Sequence, residues 1–187
     1  MINTQTDFEA LLTRLHSSED SEQKAAEAAL EPLRKNPVAL LQASTAALQN
    51  AALEDAGRYM AACLFAQTLT DKNYGHWREL PAEVQRQAKA TVLGLAGTER
   101  SGPIRRKMAA CAVSLAGFLR RECGDEWPEL LPAVFQLSQS ADAVQRETAL
   151  TMFGELALFL GAPVFRPYFG VITGILERGL QDAASLD

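Results

Sequence analysis

Arg58-Tyr59-Met60-Ala61-Ala62-Cys63-Leu64-Phe65 is the stretch on which the fold is decided. An arginine opens it, a small residue stands three places on, and a large apolar residue follows one turn later. The same phase returns as Arg105-x-x-Met108-x-x-x-Ala112 and as Arg146-x-x-Ala149-x-x-x-Phe153. Upstream it occurs as Gln23-x-x-Ala26-x-x-x-Leu30. Successive copies are offset by 35, 47 and 41 residues, close to the ~40–47-residue period of stacked helical pairs. A small residue lets neighbouring helices approach, and the bulky one behind it fills the groove between them. Each copy therefore reads as the second helix of a pair.

Outward from these copies, apolar residues recur at helical spacing and alternating strand patterns are almost absent. Phe8, Leu11, Leu12 and Leu15 follow i, i+3, i+4, i+7, and Thr6 with Glu9 reads as a capping box ahead of them. Pro37, Pro81, Pro103 and Pro128 stand where a first helical turn begins, a position that tolerates a missing N–H. Pro32 and Pro132 fall inside periodic segments, predicting a helix end near the first and a bend or late start near the second. The predicted helices are 6–16, 20–34, 37–49, 55–70, 80–97, 103–122, 128–139, 142–160 and 166–181. The longest connection, Thr70 to Glu79, carries Asn73, Tyr74, Gly75 and Trp77.

One such pair cannot bury its own apolar face, so the pairs must stack. The expected fold is all-α, a right-handed α-α superhelix of HEAT type with about four helix pairs and one unpaired helix. The repeats are expected at about 6–34, 37–70, 80–122 and 128–160, with the first helix of a fifth at 166–181. That last helix shows a broad apolar face of Tyr168, Phe169, Ile172, Ile175 and Leu176 with no partner helix after it. A finished solenoid ends in a polar cap. The chain is therefore expected to be a piece cut inside its fifth repeat, associating with a second copy or a shifted neighbour through this helix.

Composition narrows the function. Of 187 residues, 48% are apolar, and 18 Lys+Arg against 23 Asp+Glu leave a formal net charge of -5. That balance argues against a dedicated nucleic-acid binder. The longest apolar run, Leu156 to Phe165, is broken by Gly161 and Pro163 and falls short of a membrane span. The start, with Asn3, Thr4, Gln5 and Asp7, does not read as a secretory signal. Three cysteines, Cys63, Cys111 and Cys123, give no C-x-x-C pair, predicting neither disulfides nor a zinc cluster and a reducing compartment.

An enzyme is not expected. The chain has no G-x-S-x-G, H-E-x-x-H, G-x-x-x-x-G-K-S/T or G-x-G-x-x-G. Asp125-Glu126 and Glu54-Asp55 stand at helix starts, where carboxylates favour the dipole. His16 and His76 lack partners at metal-ligand spacing, so neither a metal nor a cofactor is expected. An all-α enzyme would need a deep polar pocket with convergent titratable groups.

The remaining candidates concern binding and stacking. Arg58, Arg105 and Arg146, with Asp142 at the turn between two helices, read as a ladder of side chains linking stacked repeats. Arg105-Arg106-Lys107 lies in a first helical turn, where the dipole disfavours positive charge. Either Arg105 joins the ladder and the other two are solvated, or Arg106 or Lys107 faces an acidic patch on a partner. Trp77 and Trp127 precede first helices of pairs and are expected to pack across the seam. Cys111 is expected to be buried and Cys123, beside Gly124, more accessible.

Several segments taken in order resemble the N-terminal domain of the importin-β family. They are Ala26-Glu27-Ala28-Ala29-Leu30; Arg58 to Phe65; Trp77 with Leu80-Pro81-x-x-Val84-Gln85; Ile104-Arg105-Arg106-Lys107-Met108; Trp127-Pro128-Glu129-Leu130-Leu131-Pro132; and Arg146-Glu147-x-Ala149-Leu150-x-x-Phe153. Their order is most similar to the importin-five (karyopherin-β3) type. The resemblance implies a nuclear transport receptor shuttling between cytoplasm and nucleus. It implies binding of the GTP form of the GTPase Ran on the second helices of the first repeats. Protein cargo would sit mainly on later repeats, and Phe-Gly nucleoporins would touch the outer face. Where the family continues the second repeat with basic residues, this chain has Ala66-Gln67. The exposed positions it implies as partner contacts are Gln67, Arg106, Lys107 and Ala110. The alternative is a HEAT scaffold of a phosphatase- or condensin-like assembly that never meets Ran, which would not require the Trp77 to Gln85 cluster.

Overall fold

The computed structural model describes residues 4–70, 75–160 and 165–184. Among these residues the chain is helical throughout, without a strand. The helices are α1 (Gln5–Leu15), α2 (Asp20–Arg34), α3 (Pro37–Gln49), α4 (Asp55–Thr70), α5 (Gly75–Glu79), α6 (Ala82–Thr98), α7 (Gly102–Phe118), α8 (Leu130–Ser138), α9 (Ala143–Leu160) and α10 (Phe169–Ala184). A π-helical turn, Leu119–Cys123, extends α7, and a 3-10 turn, Arg166–Tyr168, precedes α10.

Local chemistry sets most of the ends. Asn36 caps α3 by accepting from the Ala39 N–H at 3.1 Å, and Pro37 occupies the first turn. The capping box of α1 is Thr4 with Asp7, not Thr6 with Glu9: each side chain accepts from the other's N–H at 3.1 Å. Glu9 is engaged elsewhere, accepting from Asn50 Nδ2 at 3.1 Å and Gln5 Nε2 at 3.1 Å. Pro32 does not stop α2, which runs two residues further to Arg34. So near a C-terminus it removes only one hydrogen bond of the ladder. Pro128 lies outside α8, which starts late at Leu130 with Pro132 in its first turn. The predicted helix 103–122 instead changes to π geometry at Leu119 and ends on Gly124, whose φ of 67° is the left-handed conformation glycine tolerates best. The predicted long connection after Thr70 contains the short helix α5, which buries Trp77; Asn73 and Tyr74 lie outside the described residues.

The helices pack in two layers. α3, α6 and α8 line one, and α4, α7 and α9 the other, each pairing with its partner in the chain. The core continues along the stack, with Leu30, Leu48, Phe65, Met108, Leu115 and Met152 fully buried. The first pair departs from the pattern. α1 packs on α3 and α4, while α2 packs on α1 and α3. Ala26 and Leu30 are buried as the phase of α2 predicts, but Gln23 reaches back to the Leu15 carbonyl rather than across a seam.

Ser44 in α3 is fully buried, and its hydroxyl has no hydrogen-bond partner among the described residues. Ser44→Ala is expected to stabilise the chain by roughly 1 kcal/mol, because a desolvated, unpaired hydroxyl is removed at little change in volume. A rise in the urea midpoint checks this; a fall would refute it.

Candidate functional site

Stacking covers α7 on almost every side. Eleven of its seventeen residues are buried, leaving a narrow strip with Arg106, Ala110 and Ser114 exposed one turn apart. Opposite stands α9, with Glu147, Thr151 and Glu155 exposed at the same spacing. Arg106, Ala110 and these three residues line a cleft of about 240 Å³ floored by Ala109 and Met152. The Arg106 guanidinium folds back over Gly102, its Nη1 3.2 Å from where a Cβ would stand.

Gln67 is exposed on α4 but opens on a separate hollow of about 410 Å³ shared with Arg34, Leu40, Thr68 and His76. Lys107 lines neither and is half-buried. Its charge acts on Cys111, one turn along. Burial pushes that thiol up to about 12, against a smaller opposing effect of the Lys107 ammonium. Of the four positions expected to meet a partner, the structure thus brings Arg106 and Ala110 together and sets Gln67 and Lys107 apart. Sequence reasoning missed the facing row of α9, although Glu147-x-x-x-Thr151-x-x-x-Glu155 is legible as one helical face.

The seam beneath this face is polar at one edge. Arg58 donates through Nε and Nη2 to the Leu48 carbonyl at 3.2 Å, through Nη1 to Asp55 at 3.3 Å, and pairs with the Glu99 carboxylate across the seam between pairs. The other Glu99 oxygen accepts from the Ser101 N–H at 2.9 Å. The Glu99 carbonyl accepts from Arg105 Nη1, whose Nε reaches Thr148 at 3.1 Å. Gln145 adds a bond to the Gly97 carbonyl at 2.8 Å. Arg146 donates to the Ser140 and Ala141 carbonyls at 2.9 and 2.8 Å. The acid that meets Arg58 in this ladder is Glu99. Asp142 is exposed and caps α9, accepting from the Val144 N–H at 2.9 Å. The first-turn cations are accommodated separately: Arg105 is buried against neutral oxygens, while Arg106 stays in solvent.

Both tryptophans are buried at the seams. The Trp77 to Gln85 cluster has a local reason, because Gln85 Nε2 donates to the Trp77 carbonyl at 2.7 Å. Cys111 is buried and Cys123 half-buried. Among the described residues, no group of three His, Cys, Asp or Glu side chains is placed to hold a metal ion, and no helix is long and apolar enough to cross a membrane.

Residues 100–187 match the family of IPO5-like, TPR repeats. Among solved structures, the chain is similar to the crystal structure of Kap121p bound to Ste12p, with a TM-score of 0.64 and 19% sequence identity over 80% of this chain and 14% of that one. The chain thus spans about one seventh of the length of the solved protein it matches. No curated protein matches it significantly.

Proposed function

We infer, from the IPO5-like match over residues 100–187 and the stack of paired helices, that the chain is built of karyopherin-β HEAT repeats and works as a binding scaffold of a nuclear transport receptor, with no chemistry of its own. In this reading the repeats divide at about 6–34, 37–70, 80–122 and 128–160, with a fifth opening at 166–181, and stand at the receptor's N-terminal end. Ran in its GTP form docks on α4 and α7 through the exposed Gln67, Arg106 and Ala110 and the half-buried Lys107. Protein cargo is held mainly by further repeats, Phe-Gly nucleoporins touch the outer face, and the receptor shuttles between cytoplasm and nucleus.

The observation that carries this reading is the IPO5-like sequence over residues 100–187, which includes the one strip of α7 that stacking leaves open. Ran and cargo would each favour a different curvature of the stack, and a few kcal/mol of difference between two ligand states suffices to couple them. The reading extends to self-association through the uncovered face of α10.

Retention on immobilised Ran tests it. The chain is expected to bind the GTP-loaded form and not the GDP-loaded form. Arg106→Glu is expected to weaken binding roughly tenfold, within the range of a single interface contact. Equal retention of both forms, or of neither, would refute the Ran assignment in favour of a scaffold of the phosphatase or condensin kind.

A further inference from the structure

We propose that Lys89 is a clasp tying two successive inter-pair connections together, so that neighbouring seams of the stack change pitch jointly. The Lys89 ammonium lies 5.7 Å from the ring centroid of Trp77 and 5.6 Å from that of Trp127. One indole belongs to the connection between α4 and α6 and the other to the connection between α7 and α8. Both rings are buried, at 2% and 8% exposure. Among the described residues no carboxylate is within ion-pair distance of Lys89, so two aromatic faces are what stabilise the half-buried charge.

Two further bonds run along the same line. Gln85, one turn before Lys89 on α6, holds the Trp77 carbonyl at 2.7 Å. Arg78, next to Trp77, donates through Nη2 to the Glu122 carbonyl at 2.7 Å, linking the same two connections independently of the clasp. Because both indoles share one cation, a displacement of either connection changes the energy of the other. The polar ladder at Arg58, Glu99, Arg105 and Thr148 ties the seams again. This inference goes beyond the transport reading and does not depend on Ran.

The chain contains two tryptophans, so its indole N–H resonances form a two-peak spectrum that reports on the clasp directly. Lys89→Met, which keeps the aliphatic length and removes the charge, is expected to shift both peaks. It should also speed amide hydrogen exchange in 75–79 and 119–127 together, by about tenfold. Lys89→Arg, which keeps the cation, should leave both close to the wild type. Arg78→Ala is expected to speed exchange in both connections while leaving the indole peaks in place. The proposal is overturned if one connection responds without the other, or if Met and Arg at position 89 behave alike.

Discussion

Glu99→Ala is expected to destabilise the chain by about 3 kcal/mol, the scale of breaking a buried ion pair by removing one partner. Glu99 is only 8% exposed, and its two oxygens serve different elements: one pairs with Arg58 of α4, and the other accepts from the Ser101 N–H at the start of α7. Alanine leaves the Arg58 guanidinium short of a charge partner and an N–H unpaired. Arg58 keeps its bonds to the Leu48 carbonyl and to exposed Asp55, which holds the loss below that of a fully orphaned buried cation. Glu99→Gln retains an acceptor for Ser101 and loses only the charge, so its cost should be clearly smaller. Combining Arg58→Met with Glu99→Met should cost less than the two single changes summed, because neither variant then strands a charge. Urea unfolding of the wild type, the two other Glu99 variants, the two single methionine variants and their combination measures each quantity. A Glu99→Ala loss under 1 kcal/mol, or strict additivity, would show that the ladder does not couple the pairs.

The wild-type chain is expected to associate with itself as its concentration rises, through α10. Phe169, Leu176 and Leu180 are 54%, 53% and 72% exposed and recur at i, i+7, i+11 along one side of that helix. Phe169 and Leu176 border an apolar groove of about 450 Å³ between α9 and α10, lined by Leu150, Phe153, Phe165 and Ile172 among others. The inward side of α10 carries the buried Ile175, and the segment leading into it is seated by Tyr168 against Phe135, 4.7 Å between ring centroids, and by Phe165 edge-on to Phe153 at 6.4 Å. α10 is therefore attached by one side of its apolar stripe and open along the other, and an apolar surface of that extent favours a second contact. Sedimentation should show a mass that climbs with concentration. Leu176→Glu with Leu180→Glu should return a monomer of unchanged helicity, since both side chains already face solvent. A wild-type chain that stays monomeric at high concentration with α10 ordered would refute the association.

Where local signals were complete, the sequence described the structure closely. Helices 20–34, 37–49 and 55–70 occur at the bounds that periodicity, Asn36 and Pro37 predict. Where two local solutions competed, neighbours chose between them. Thr6 with Glu9 reads as a capping box, but Thr4 with Asp7 forms it, while Glu9 is held by Asn50 from the next helix pair. The π turn at Leu119 and the short helix around Trp77 carry no periodic signature, since each is too brief to complete two turns.

For the candidate site, the positions that stacking buries were legible and the relations across the seam were not. Spacing alone identified Arg58 and Arg105 as seam residues. An apolar stripe, its caps and its period are properties of neighbours along the chain, and from them follow an all-α stack of paired helices and the need of each pair for the next. Which carboxylate meets Arg58, which of three adjacent cations stays in solvent, and that one lysine lies between two tryptophans depend on the distance and rotation between helices some forty residues apart. Those quantities arise only when side chains from separate turns close-pack against one another, so the tertiary structure alone decides them.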